Sequence, residues 1–142
     1  MGDARLSMER EWTESGSQRY DVLVLDAFSS DAIPVHLLTR EAFSLYSGHL
    51  RDSDSIIAVH ISNRSIDLWP LLFTVAREFG LKAGVFVNAD APPLSMSSTW
   101  VLMTHGRDFM TQEDVRRRRY ATRPSRCVLW TDNFSNLLTL LR

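Results

Sequence analysis

Several things are scarce in this chain of 142 residues, and each scarcity removes a class of protein. A single cysteine, Cys127, leaves no intramolecular disulfide framework and no cysteine cluster for zinc. Net charge is almost absent: 17 acidic against 16 basic residues give −1, so no general basic field gathers nucleic acid. Apolar runs all fall short of the roughly 18 to 20 residues that cross a bilayer, and Met1-Gly2-Asp3-Ala4-Arg5 is too polar to open a signal peptide. There is no G-x-G-x-x-G, no P-loop, no G-x-S-x-G elbow and no H-E-x-x-H, and the four histidines (His36, His49, His60, His105) show no metal spacing. Lysine occurs once, at Lys82, and no function attaches to that. With 44% apolar and 23% charged residues, what remains is one domain, residues 1–142, without a membrane segment and in a reducing, cytoplasmic setting.

What is present alternates. Residues 20–28 hold Val22-Leu23-Val24-Leu25, apolar on both faces as a central strand covered by helices would be. Residues 55–62 repeat the pattern, and residues 82–88 do so more briefly. Residues 98–104 form a fourth strand after the Ala91-Pro92-Pro93 loop, antiparallel at or near a sheet edge because no helix precedes it. Thr39 caps a helix over residues 40–50 with Ala42, Phe43, Tyr46 and Leu50 on one face. Ser65 or Asp67 caps the next, with Pro70 in its first turn, an inner face of Trp69, Leu72, Phe73, Ala76 and Phe79, and a stop at Gly80. A polar helix starts near Thr111, and residues 135–141 form a last strand or helical turn. The order predicts an α/β fold with a mostly parallel sheet and an antiparallel strand near the C-terminus.

In open α/β sheets ligands bind beyond the carboxyl ends of the strands. The first strand ends in Asp26-Ala27-Phe28-Ser29-Ser30-Asp31-Ala32-Ile33-Pro34, two carboxylates and two hydroxyls in such a place. A carboxylate partly shielded by Phe28 can serve as a general base; the plainer reading is that Asp26 ends the strand and Asp31 caps the turn entered at Pro34. Asp3 is either an acceptor for a ligand amine or part of a frayed terminus. His60, within an apolar strand, reads as a base or ligand, or as a core histidine with one hydrogen bond. Cys127, beside Val128-Leu129-Trp130, reads as a buried apolar residue. Arg116-Arg117-Arg118-Arg119 could grip phosphates, but Glu113 and Asp114 precede it and the net charge is neutral, which favours a solvated helix face.

The segment Tyr20-Asp21-Val22-Leu23-Val24-Leu25-Asp26-Ala27-Phe28-Ser29-Ser30-Asp31 resembles spermidine synthases, the polyamine aminopropyltransferases, and most of all bacterial spermidine synthase-like proteins, some of which carry the domain after a membrane region. The likeness continues through Ala32-Ile33-Pro34-Val35-His36-Leu37-Leu38-Thr39 and Ala58-Val59-His60-Ile61-Ser62-Asn63-Arg64, and returns at Trp130-Thr131-Asp132-Asn133. It implies a Rossmann-like fold of the S-adenosylmethionine-dependent methyltransferase type, no prosthetic group, and decarboxylated S-adenosylmethionine as co-substrate. The amine of a polyamine such as putrescine attacks the carbon beside the sulfonium, giving spermidine and methylthioadenosine. By resemblance Asp26 is the catalytic base; Asp31, with Ser29 and Ser30, binds substrate, although Ala27 and Phe28 lengthen the spacing between the acids. Asp3 and Ala4 meet the adenine amine, and Pro34 lines the adenine side. The family's glycine-rich loop lies upstream of the point matching Gly2, so the chain corresponds to the C-terminal half of the catalytic domain. The resemblance therefore implies that Asp26, Asp31 and Asp3 cluster at one sheet edge. It also implies that the apolar edge of strand 20–28 is covered, by a homo-oligomer partner or the N-terminal half, and that the chain alone binds S-adenosyl ligands weakly. Other readings of the same fold are a methyltransferase-like enzyme and a non-catalytic association domain.

Overall fold

The computed structural model describes residues 3–26, 33–63, 65–88, 97–120 and 123–141. The elements in chain order are α1 (Ala4–Ser15), β1 (Val22–Leu25), α2 (Arg40–Gly48), β2 (Ile56–His60), α3 (Trp69–Glu78), β3 (Lys82–Asn88), β4 (Ser98–Thr104), α4 (Arg107–Thr111), α5 (Glu113–Arg118) and β5 (Arg119–Tyr120). Short 3₁₀ turns cover Val35–Leu37 and Leu137–Leu140.

The strands form one sheet in the order β1-β2-β4-β3-β5. The expected mostly parallel sheet is corrected to a mixed one. Only β1 and β2 pair in parallel, while β2 with β4, β3 with β4 and β3 with β5 are antiparallel. The antiparallel direction of β4 agrees with the sequence, but its place does not. It returns after β3 and inserts between β2 and β3, so it is a central strand, and Val101 and Met103 are fully buried.

Register separates the two faces. Leu23 pairs with Ile57 and Leu25 with Val59, Ile57 and Val59 face Met103 and Val101, and these face Ala83 and Val85. All belong to, or pack against, one core cluster with Phe43 and Tyr46 of α2 and Leu71, Leu72 and Val75 of α3. Each such buried side chain contributes about 1.5–3 kcal/mol by leaving water. The other face is less covered: Val22 and Val24 of the edge strand β1 are each 53% exposed.

The helices start where local chemistry starts them. Thr39 Oγ1 accepts the Ala42 amide at 3.3 Å, the cap read from sequence. Asp67 Oδ1 accepts the Trp69 amide at 3.1 Å ahead of α3, where Pro70 lies in the first turn. Helix α1 was not anticipated. Asp3 caps it by accepting the Arg5 and Leu6 amides, and it lies on α2 with the Trp12 ring over Gly48, where a β-carbon would stand 2.9 Å from the ring. Buried His49 joins the two, receiving the Gln18 amide at Nδ1 and donating from Nε2 to the Met8 carbonyl. The tail ends in a 3₁₀ turn, and Leu141 bridges to Ile66. Cys127 is exposed, which corrects the buried reading: the segment around it is not a strand, so no sheet face covers it. No described helix is long and apolar enough to cross a membrane.

Candidate functional site

The parallel pair β1 and β2 ends in two polar positions side by side. Asp26 follows β1 directly, one step beyond the pair Leu25 and Val59, which sets it against His60 at the end of β2. Asp26 Oδ1 lies 2.7 Å from His60 Nδ1, and His60 Nε2 lies 2.7 Å from Ser62 Oγ. Ser62 Oγ also receives the Thr99 amide at 2.8 Å. The His60 ring stacks on its cross-strand partner Trp100, with centroids 4.7 Å apart and planes 21° off parallel. Beyond Ser62, Asn63 Oδ1 accepts the Ser65 and Ile66 amides, both at 2.9 Å, which turns the chain out of the strand.

An ionised carboxylate only accepts hydrogen bonds, so the contact to Asp26 places a proton on His60 Nδ1. The Asp26 side chain is 57% exposed and that of His60 21%. The arrangement is a carboxylate open to solvent on one side and tethered on the other, at the carboxyl end of a parallel strand where α/β proteins bind ligands.

A second polar cluster involves Asp3. Its Oδ1 accepts the Arg5 and Leu6 amides at 2.9 and 3.2 Å, and Oδ2 meets His36 Nε2 at 2.6 Å. The Leu6 amide leads in holding its carboxyl below the usual carboxylate range. Ala4 opens α1 and is exposed, and Pro34 heads the 3₁₀ turn that carries His36. The structure thus sets Asp3, Ala4 and Pro34 in one neighbourhood, joined through His36. Among the described residues no hydrogen bond or ion pair links that neighbourhood to Asp26. Ser29, Ser30 and Asp31 lie outside the described residues, as does Arg64.

Next to this cluster, Arg5 clamps Asp132 with two nitrogens, each at 2.6 Å. Thr39 donates to the same carboxylate at 2.7 Å, and the Asp132 amide donates to Glu41. Hydrogen bonding from Arg5, then from Thr39, holds the Asp132 carboxyl down to about 2. This clasp binds α1, the start of α2 and the Trp130–Asp132 tail together; nothing in residue type separated Arg5 from the other arginines in the sequence.

The sequence alone leaves His60 open between base, ligand and core histidine and assigns Ser62 no role. The signal was two-residue alternation: Ile57 and Val59 turn into the core, so His60 turns the other way, towards the same side as Trp100. Among the described residues no group of three histidine, cysteine or acidic side chains could hold a metal ion.

No family model matches the chain. A polyamine aminopropyltransferase of Vibrio vulnificus (strain CMCP6) is 36% identical over 64 residues, which is 45% of this chain. The match spans 20% of that protein's length, so the likeness is to a part of it. The chain has an α/β fold with a mixed sheet and is similar over those 64 residues to a polyamine aminopropyltransferase.

Proposed function

We propose that this chain supplies the catalytic-acid portion of a spermidine synthase-like aminopropyltransferase, on part of a Rossmann-like fold of the methyltransferase type. One observation carries the reading: Asp26 stands open at the carboxyl end of β1, in a chain similar over 64 residues to a polyamine aminopropyltransferase.

The chemistry needs such a group. A polyamine arrives as an ammonium, which is no nucleophile until it gives up a proton. Asp26 takes that proton. The freed amine nitrogen then bonds to the carbon beside the sulfonium of decarboxylated S-adenosylmethionine. The carbon–sulfur bond breaks with its electron pair on sulfur, leaving neutral methylthioadenosine and a secondary ammonium, and Asp26 returns its proton to solvent. In this reading Ser29, Ser30 and Asp31 hold the cationic amine. Asp3, Ala4 and Pro34 border the adenine; an adenine amine would compete with His36 for Asp3, whose other oxygen is committed to the helix cap.

The test uses the longest protein encoded in frame with this chain, supplied with putrescine and decarboxylated S-adenosylmethionine. Methylthioadenosine is the expected nucleoside product. S-adenosylhomocysteine formed from intact S-adenosylmethionine would replace the reading with a methyltransferase. The chain alone should bind methylthioadenosine more weakly than micromolar in isothermal titration.

The exposed Val22 and Val24 on edge strand β1 favour a second reading, an association domain that uses this edge. Concentration-dependent dimerisation without any nucleoside product would support it.

A further inference from the structure

We infer that His60 is a positioning residue for Asp26: it holds one carboxylate oxygen so that the other faces the amine substrate. This rests on the reading of Asp26 as the base.

Asp26 lies just past the end of its strand, with its side chain more exposed than buried. A carboxylate so placed rotates among orientations unless something holds it, and a base that wanders loses the benefit of proximity. His60 is the hold. Its Nδ1–H meets Oδ1 at 2.7 Å and leaves Oδ2 for the substrate's proton. The ring itself is fixed twice, by the stack on Trp100 and by Nε2 at 2.7 Å from Ser62 Oγ. Ser62 is fixed in turn by the Thr99 amide at 2.8 Å. With that amide occupying an acceptor site on Oγ, the Ser62 hydroxyl hydrogen can point to Nε2 while Nδ1–H points to Asp26. His60, Thr99 and Trp100 stand on the adjacent strands β2 and β4, and Ser62 follows β2 two residues on, tied to β4 by the Thr99 amide.

Acid, imidazole and hydroxyl in this order also describe a hydrolytic triad. A nucleophilic serine, however, needs amides aimed at the oxyanion formed beside it. Here the Thr99 amide is aimed at Oγ itself, so Ser62 is an anchor. His60 makes and breaks no bond with substrate; the proton passes from ammonium to Asp26 Oδ2.

Two substitutions separate positioning from bulk. His60→Asn can still present an N–H near the Nδ1 position and donate to Asp26, whereas His60→Gln reaches towards Ser62 and loses Asp26. In the aminopropyl-transfer assay, His60→Gln and His60→Ala should lower kcat about 100-fold, with KM for the amine within about threefold, while His60→Asn stays within about tenfold of wild type. Equal kcat for the Asn and Gln variants, or wild-type kcat in His60→Ala alongside an inactive Asp26→Asn, would overturn the role of His60 and leave the proposed function standing. No methylthioadenosine from wild type would remove the function and this role together. A readout independent of activity is the long-range proton–nitrogen spectrum of the wild-type imidazoles. A His60 ring protonated at Nδ1, with a proton resonance that moves in Asp26→Ala, is expected. An Nε2-protonated ring indifferent to Asp26 would overturn the inference whatever the assay shows.

Discussion

Asp26 and Asp132 are both aspartates just outside regular elements, and their surroundings could hardly differ more. Asp132 is heavily engaged: a bidentate arginine and a threonine hydroxyl donate to it and hold its carboxyl well below the usual range. Asp26 has a single partner among the described residues, a histidine at 2.7 Å, and its side chain is 57% exposed. One carboxylate is spent on joining segments 127 residues apart; the other is held but not used up. A carboxylate's capacity for proton transfer is what its hydrogen bonds leave over, and by that measure Asp26 keeps more of it than Asp132.

The largest effect should come from Asp26→Asn, which keeps shape and removes the basic oxygen. Product formation should fall by about 100-fold or more, while unfolding free energy stays within about 0.5 kcal/mol of wild type in urea titration. A stability loss as large as that of a clasp variant would erase the contrast. The clasp should behave in the opposite way. Arg5→Ala removes both contacts to Asp132 and should cost about 1–2 kcal/mol, a figure discounted because Asp132 is 39% exposed. Thermal and urea denaturation measure that loss.

The pH dependence sharpens the same point. The Asp132 carboxyl is lowered in the folded protein from its ordinary 3.8 to about 2, first by Arg5. Between those values the unfolded chain binds more protons than the folded one, so stability rises with pH across that window. The contribution is complete above about pH 5 and is lost as pH falls towards 2. Urea midpoints across that range should show the decline in wild type and a shallower one in Arg5→Ala. The smallest effect on folding belongs to Val24→Lys on the open sheet face, within about 0.5 kcal/mol. Its readout is association: light scattering at rising concentration should show less self-association than wild type, and an unchanged profile would mean that this edge does not mediate it.

Much of the fold was legible because it is written in short-range terms. Val22-Leu23-Val24-Leu25 and Ile56-Ile57-Ala58-Val59 are apolar runs rich in β-branched residues and leucine, too short for helices, and both are strands. Thr39 caps α2, and Pro70 sits in the first turn of α3 as its missing N–H allows. Helix α1 was missed because it buries no residue fully, so it shows little apolar stripe to read. The position of Asp26 at the end of a strand was legible; its partner was not, because an apolar run on both sides of a histidine hides which face the ring takes.

Sequence alone determined strands β1 to β4, helices α2 and α3 with the Thr39 and Asp67 caps, and that a carboxylate ends the first strand, since each depends on neighbours a few residues away. Only the tertiary structure decided that β4 enters between β2 and β3, that His60 meets Asp26 and stacks on Trp100, and that Arg5 meets Asp132. Those pairings join residues 34, 40 and 127 positions apart. The two His60 pairings form because burying one face of the sheet under α2 and α3 selects a single register, and register with its two-residue alternation then fixes which polar side chains share the other face.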